Sequence, residues 1–341
     1  MTGLHYFFRH PSPVYFSIEK LFGRISNEVA LDGQKQFNVD VVTLPYTTKV
    51  STMRKNISYT KRNQAFVNHI TGDAHYCIIG CDNSNINVLT IHDCVLLKRY
   101  RVINPKYWIF KWFWYDLPVR KADAITVISE NTKAELLKFT RCRPEKITVI
   151  PDFVDPIFTP AEYHFNGDLP RILFIGSSVN KNLDRLLDAI RDLPVRLDLI
   201  CRLREEQKTK LANYGIQYTV SENLTDSELL KKYEECDLLA FPSTYEGFGL
   251  PIVEAQAVGR PVLTSRISPM KDVAGKGARL VDPYNTQSIR EGIQAIIGEA
   301  DYRKELIRSG FENVARFQLK DVVDQYVSLY HQLLEKRRKK E

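Results

Sequence analysis

Short apolar runs rich in β-branched and aromatic residues alternate along this chain with segments whose apolar positions recur every three or four residues. That alternation is the signature of parallel sheets whose strands are joined by crossover helices. In the first half the predicted strands are 39–44, 76–79, 88–91, 125–128 and 148–150, which fit one domain. Pro151, Pro156, Pro160 and Pro170 then crowd together. Proline lacks an amide donor and restricts its predecessor, so regular structure should lapse there, and 151–170 reads as a linker. Strands resume at 171–175, 197–200, 217–220, 238–241, 261–264 and 279–281, each followed by a helix-compatible stretch. The final predicted helix, 319–336, carries Val322, Val323, Tyr326, Leu329, Tyr330, Leu333 and Leu334 on one face. Such a face must bury against something, and the expectation is that it packs back onto the first domain. No internal repeat is evident. The architecture expected is α/β, with two open domains, 1–150 and 171–317, and a ligand cleft at the carboxyl ends of their strands.

Composition narrows the setting more than the chemistry. Hydrophobic residues at 44% and charged residues at 26% over 341 positions are ordinary for a protein with two buried cores. The first residues lack the basic segment followed by an apolar run that a secretory signal needs, so a cytoplasmic protein is expected. No stretch approaches the roughly 20 apolar residues of a membrane-spanning helix; the greasiest, 107–115, is short and holds Lys111. The six cysteines, Cys77, Cys81, Cys94, Cys142, Cys201 and Cys236, form no two-residue-spaced pair, so buried, reduced thiols are expected and no metal site. A net charge of +7 is modest, and nothing points to nucleic acid. Part of that charge sits in the tail Lys336-Arg337-Arg338-Lys339-Lys340, which reads either as a solvated helix end or as an anchor on an anionic membrane surface. The aromatic and basic segment 98–121, with Tyr107, Trp108, Lys111, Trp112 and Trp114, likewise has two readings: a helix covering the core, or a membrane-interface or lipid-acceptor surface.

The most informative stretch is Phe241-Pro-Ser-Thr-Tyr-Glu246-Gly-Phe-Gly-Leu-Pro-Ile-Val-Glu254-Ala. A buried strand ends at Phe241, a loop carries Gly247 and Gly249, and Pro251 stands where a helix would take its first residue. Glycine lets backbone approach a ligand closely, and the free amides and dipole of a helix N-terminus favour phosphate. Glu246 and Glu254 then flank the phosphate position and suit hydroxyl recognition. Lys181, after the strand 171–175 and near the next helix start, is placed to neutralise a diphosphate, the role a divalent metal otherwise fills. His92 and Asp93 close the apolar strand 88–91 at its ligand-binding edge. His10, His69 and His75 have no such support, and Ser129 reads as a helix cap or a ligand contact.

The two glutamates separated by seven residues around Gly-Phe-Gly-Leu-Pro resemble the donor-site motif of family 4 retaining glycosyltransferases of the GT-B fold. The same family is resembled, in order, by Ala122-Asp-Ala-Ile-Thr-Val-Ile-Ser129-Glu130, by Lys146-Ile-Thr-Val-Ile-Pro-Asp-Phe-Val-Asp155, by Phe174-Ile-Gly176 with Lys181-Asn182-Leu183, and by Ala257-Val-Gly-Arg-Pro-Val262. Roughly residues 88 to 335 are covered, the first eighty more weakly.

That resemblance implies two Rossmann-like domains facing across a cleft and transfer of a sugar from a nucleoside-diphosphate sugar to a glycan or lipid-linked acceptor, with no other cofactor. It implies that Glu254 binds the ribose hydroxyls and Glu246 the hydroxyls of the transferring sugar, that His92 contacts that sugar with Asp93 orienting the ring or meeting the acceptor, and that amides of Phe248, Gly249 and Leu250 face sugar and phosphates. The family commonly has an arginine ahead of the lysine, where this chain has Ser177, Ser178, Val179 and Asn180. Ser178 is taken as a ligand contact, and Arg202 and Arg204 are candidates for the missing cation. The setting implied is surface-polysaccharide assembly, peripheral on the inner face of the plasma membrane. A GT-B sugar-nucleotide epimerase and a non-catalytic nucleotide-sugar-binding protein are the alternatives. The family-4 style motifs argue against the first, and the joint presence of Glu246, Glu254, Lys181 and His92 against the second.

Overall fold

The computed structural model describes residues 1–11, 17–31, 36–100 and 102–339. The chain divides into two compact units, Met1–Asp152 with Leu319–Glu341, and Phe153–Gln318.

Unit 1 is built on a parallel sheet in the order β2-β1-β3-β4-β5-β6. Its strands are β1 (Thr2–Phe8), β2 (Phe37–Thr43), β3 (Val67–Ile70), β4 (Ile86–Ile91), β5 (Ala124–Val127) and β6 (Ile147–Val149). The three central strands β3, β4 and β5 are buried along their whole length, as parallel strands with helices on both faces must be. The last helix, Leu319–Arg338, belongs to this unit and buries Val322, Val323, Tyr326, Leu329, Tyr330 and Leu333.

Three features of unit 1 differ from the sequence pattern. Two strands were not predicted, β1 and β3. In β3 the pattern is broken by Asn68 and His69, both fully buried because their polar atoms are satisfied. Asn68 donates to Ala65 O and Asn87 Oδ1, while His69 is linked through Nδ1 to the Tyr330 hydroxyl and through Nε2 to that of Thr90, both at 2.7 Å. Conversely, the run 76–79 is not a strand but part of a 3₁₀ helix, His75–Gly80. An apolar run this short carries no period of its own. Here it is wedged against the helix Met53–Arg62: Asn56 donates to the Tyr76 hydroxyl at 2.9 Å, and a Cβ on Gly80 would lie 2.4 Å from the carbonyl oxygen of Ile57.

Unit 2 holds the second parallel sheet, in the order β12-β11-β10-β7-β8-β9. Its strands are β7 (Arg171–Ile175), β8 (Arg196–Ile200), β9 (Gln217–Ser221), β10 (Leu238–Phe241), β11 (Val262–Ser265) and β12 (Ala278–Val281). The proline-rich stretch 153–170 has no regular structure, yet it is packed along this unit. Phe153, Val154 and Phe158 are buried, and the Arg260 guanidinium, itself 1% exposed, donates to the carbonyls of Ala161 and Glu162. Arg260 also donates to the carbonyls of Tyr233 and Glu234, which ties that stretch to the helix Asp226–Glu235.

All six cysteines are buried, free thiols. Among the described residues no helix is long and apolar enough to cross a membrane.

Candidate functional site

A doubly wound sheet creates a crevice where the strand order reverses, because the loops leaving the two neighbouring strands diverge there. In unit 2 that point lies between β7 and β10, which pair through Leu238 with Ile172. The loop after β7 carries Lys181 and the loop after β10 carries Glu246. The fold brings the two together: Lys181 Nζ lies 2.8 Å from Glu246 Oε1, with both side chains mostly buried. The ammonium also sits 4.6 Å from the centroid of the Phe241 ring at the end of β10.

Lys181 is held there by backbone geometry. Gly176 has φ +115°, and a Cβ at that position would lie 2.7 to 2.9 Å from the lysine's Cε, Cγ and Cδ. The aliphatic stem therefore lies across a glycine that no other residue could replace without moving it. Asn182 follows in the left-handed conformation, φ 70°, which asparagine tolerates better than most residues. Its buried side chain donates to the carbonyls of Pro242 (2.9 Å) and Pro283 (2.7 Å). Asn180 completes the clamp, donating to Tyr245 O at 2.7 Å and accepting from the Thr244 amide at 2.7 Å. The sequence pattern places Phe241 at a strand end and Asn182 beside the lysine but assigns neither a contact, and Asn180 figures there only as one of the residues ahead of the lysine.

Gly249 (φ +114°) turns the chain into the helix Leu250–Val258. The helix starts at Leu250, so Pro251 is its second residue and not its first; its missing amide still costs nothing in the first turn. Phe248 is buried, edge-on to Phe317 at 5.4 Å. Gly247, Phe248, Gly249 and Leu250 thus lead into a helix N-terminus, whose free amides and partial positive charge favour an anion. Within that helix Glu254 Oε2 accepts a hydrogen bond from the Tyr233 hydroxyl at 2.7 Å. Tyr233 is fully buried, and burial first, then the glutamate, raises its pKa well above the ordinary value, so it is a fixed donor. Tyr233 was not singled out in the sequence; it is the one aromatic on a helix whose other apolar residues are Leu229 and Leu230.

Ser178 and Arg202 line one small depression with Gly176 and Ser177 beside the end of β8. The Arg202 amide donates to Ser177 Oγ at 2.7 Å, and its side chain is exposed. Arg204 instead pairs with Asp184 on the neighbouring helix Leu183–Ile190. Of the two arginine candidates, only Arg202 shares a depression with Ser178.

In unit 1 the order reverses between β1 and β3. A cavity of about 310 Å³ opens there, lined in part by Arg9 after β1, Asp73 after β3, and His92 and Asp93 after β4. His92 Nε2 donates to the Thr71 carbonyl at 2.9 Å, so the neutral ring keeps its Nδ1 lone pair. Burial lowers the His92 pKa to about 4, against the weaker effect of that hydrogen bond. The ring is thus oriented by a backbone carbonyl, while Asp93 Oδ1 accepts the amide of Val95 at 2.8 Å. Arg9 is bonded by two hydrogen bonds to Glu19, 2.6 and 3.1 Å. His75, passed over in the sequence, lines the same cavity, its Nδ1 2.8 Å from the Trp114 carbonyl. Ser129 is a helix cap, its Oγ accepting from the Thr132 amide at 3.1 Å.

Two parallel sheets, each with its crevice at a strand-order reversal, are the architecture of the GT-B fold. Residues 158–313 match the family described as Glycosyl transferases group 1, and residues 80–158 match Glycosyltransferase Family 4. The chain belongs to this glycosyltransferase family. It is 25% identical over 273 residues to the serotype-specific mannosyltransferase WbdA of Escherichia coli, covering 72% of this chain and 33% of that one. It is 28% identical over 275 residues to the MMP alpha-(1->4)-mannosyltransferase of Mycolicibacterium hassiacum, covering 72% and 65%. The chain therefore spans about a third of the first relative's length and about two thirds of the second's. Among solved structures, sucrose-phosphate synthase from Thermosynechococcus elongatus superposes with TM-score 0.81 at 17% identity, over 98% of this chain and 100% of that one. HepE of Anabaena, in complex with UDP and glucose, superposes with TM-score 0.76 at 15% identity, over 97% and 100%.

Proposed function

We propose that the protein is a retaining glycosyltransferase that moves a sugar from a nucleoside-diphosphate sugar to a hydroxyl of a glycan or lipid-linked glycan in surface-polysaccharide assembly. The observation that carries this reading is the Lys181–Glu246 pair at the β7/β10 crevice, beside the N-terminus of the helix Leu250–Val258. A cation and a helix N-terminus side by side suit a diphosphate, and a carboxylate next to the cation suits sugar hydroxyls.

In this reading the diphosphate lies against Lys181 and the amides of Phe248, Gly249 and Leu250. Glu246 accepts hydroxyls of the transferring sugar, and Glu254, held by Tyr233, accepts those of the ribose. Ser178 and Arg202 border the diphosphate, and His92 offers its Nδ1 lone pair to a sugar hydroxyl. The acceptor oxygen bonds to the anomeric carbon on the face from which the diphosphate departs. The bond to the leaving oxygen breaks with its electron pair, and a phosphate oxygen takes the acceptor's proton. Lys181 and the helix amides stabilise the charge growing on the leaving group, so no metal is assigned to that task.

Glu246→Ala and Lys181→Ala are each expected to abolish transfer in an assay with purified protein while leaving the circular dichroism spectrum and unfolding cooperative. Chelator should leave wild-type transfer unchanged. Full transfer by either folded variant would refute the assignment.

A further inference from the structure

Between Asp40 and Asp73 the chain has no acidic residue, whereas Lys49, Arg54, Lys55, Lys61 and Arg62 all fall in that stretch. Four of these five lie on the helix Met53–Arg62, which buries Met53, Asn56 and Thr60 and turns Arg54, Lys55, Ser58, Lys61 and Arg62 to solvent. Its exposed face is thus four cations around one serine. Among the described residues none of the four is in a salt bridge. The Lys55 ammonium lies 5.2 Å from the ring centroid of Tyr46, itself 41% exposed. Asp82, which reaches the end of the helix, accepts from the Gln64 side-chain amide at 2.7 Å.

Folding does not account for this face. Protein surfaces ordinarily intersperse the two signs of charge. Arg54 and Lys55 also stand in the first turn, where the helix dipole disfavours a cation and no acidic residue offsets it. Lys61 follows Arg54, and Arg62 follows Lys55, by two turns, so the cations form two rows each about 10.5 Å long. A field of one sign attracts an anionic chain, and the position of the helix selects which. Asn56 donates to the Tyr46 carbonyl at 3.0 Å and to the Tyr76 hydroxyl at 2.9 Å, and Tyr76 follows His75, which lines the cavity by His92. That cavity carries the opposite charge: Asp73 and Asp93 line it, while its Arg9 is bonded to Glu19. A glycan leaving the cavity meets carboxylates first and cations next. The exposed face of the helix holds no apolar side chain to enter a lipid headgroup layer.

We propose that the outer face of the helix Met53–Arg62 binds an acidic glycan, the stem of the acceptor, whose uncharged terminal sugar enters the cavity by His92 while carboxylates or phosphates on earlier residues meet Arg54, Lys55, Lys61 and Arg62. This rests on the glycosyltransferase reading and specifies the charge of its acceptor.

The full chain is titrated into fluorescein-labelled galacturonate dimer and octamer, with labelled dextran as the uncharged glycan, following anisotropy. The octamer is expected to bind at least about tenfold more tightly than the dimer, since only the longer chain spans both rows, and 0.5 M salt should weaken it; dextran should not bind. Arg54→Gln with Lys55→Gln, and Lys61→Gln with Arg62→Gln, should each weaken octamer binding about threefold, and the four together about tenfold. Lys336→Gln with Arg338→Gln removes as much charge as either pair from the exposed end of the last helix and should leave octamer affinity within about twofold. Thermal stabilisation by UDP and GDP is measured on every variant. Variants that keep it are folded, and its absence from wild type with both would count against the donor reading and not this one. The proposal is overturned by wild type failing to bind the octamer, with a lipid surface as the occupant if phosphatidylglycerol vesicles bind instead. It is equally overturned by the fourfold variant binding the octamer as tightly as wild type, or by the Lys336 and Arg338 control losing as much as either pair.

Discussion

Replacing Gly176 by alanine tests whether the lysine stem truly depends on the absence of a side chain. At φ +115° an L-residue is strained by about 1 to 3 kcal/mol, which should appear as lost stability. The added methyl would stand 2.7 Å from Lys181 Cε, against an ordinary carbon–carbon separation of about 3.5 to 4.0 Å, so the stem must withdraw by roughly 1 Å. Moving a unit charge from about 4 to about 5 Å of a phosphate at an effective dielectric near 20 forfeits about 0.8 kcal/mol per negative charge. For a doubly charged diphosphate that is about 1.7 kcal/mol, or roughly a fifteenfold loss of affinity. Isothermal titration calorimetry with UDP and GDP, whichever binds wild type, measures it. Two controls separate the causes. Gly215→Ala is also strained, at φ +63°, but has nothing within 4 Å of the new methyl, so it should lose stability and keep affinity. Gly167→Ala meets nothing and has no such strain, and should change neither. Wild-type affinity in Gly176→Ala, or equal losses in Gly176→Ala and Gly215→Ala, would refute the argument.

Tyr233→Phe removes the donor that fixes Glu254, a hydrogen bond to a charged group worth about 1.5 to 3 kcal/mol, and should weaken nucleoside diphosphate binding about tenfold while leaving pyrophosphate binding unchanged. Loss of both to the same extent would show that Glu254 does not read the ribose. Burial lowers the pKa of His69 to about 3 and of His75 to about 4, below the ~6.5 of an exposed ring, so the unfolded chain takes up protons first as pH falls. The contribution of these histidines to stability is therefore expected to fall from pH 6.5 downward, by about 2 kcal/mol per histidine at pH 5, against the opposite trend of Asp73 and Asp152, whose pKa burial raises to about 6 and about 7; a urea-unfolding profile between pH 7 and 5 that His75→Asn leaves unchanged in slope would contradict this. Tyr330→Phe deletes a hydroxyl bonded to both His69 and Tyr6 and should destabilise unit 1 by about 1 to 3 kcal/mol, read as loss of amide protection in β1 and β3 by hydrogen exchange.

How much of this was legible in the sequence depended on the range of the interactions. The donor-side motif is local: Phe241 ends a strand, two glycines turn the chain, and Glu246 and Glu254 fall within one loop and helix, so chemistry and position could be inferred together. The meeting of Lys181 with Glu246 was foreseeable only as two strand ends at one crevice, since 65 residues separate them. Unit 1 was harder to read. A strand is recognised by its apolar pattern, and in β3 that pattern is interrupted by Asn68 and by His69, whose partner Tyr330 lies 261 residues away. The 3₁₀ turn 75–80 imitates a strand because every side of it but Ile79 is buried. Arg260 and Tyr233 act through carbonyls and a carboxylate that no spacing rule links to them.

The hydroxyls of Tyr6 and Tyr330 meet at 2.9 Å, so two segments 324 residues apart are sewn into one unit, while Phe153–Gln318 is uninterrupted in sequence. During synthesis the second unit has all its parts before the first does. The earlier-made sheet must wait on the ribosome for Leu319–Arg338 to emerge, holding the buried faces of Tyr6 and His69 uncovered until then. A gene cut at 153 and 318 should yield a self-sufficient fragment from the middle, whereas its counterpart can be assembled only from two pieces.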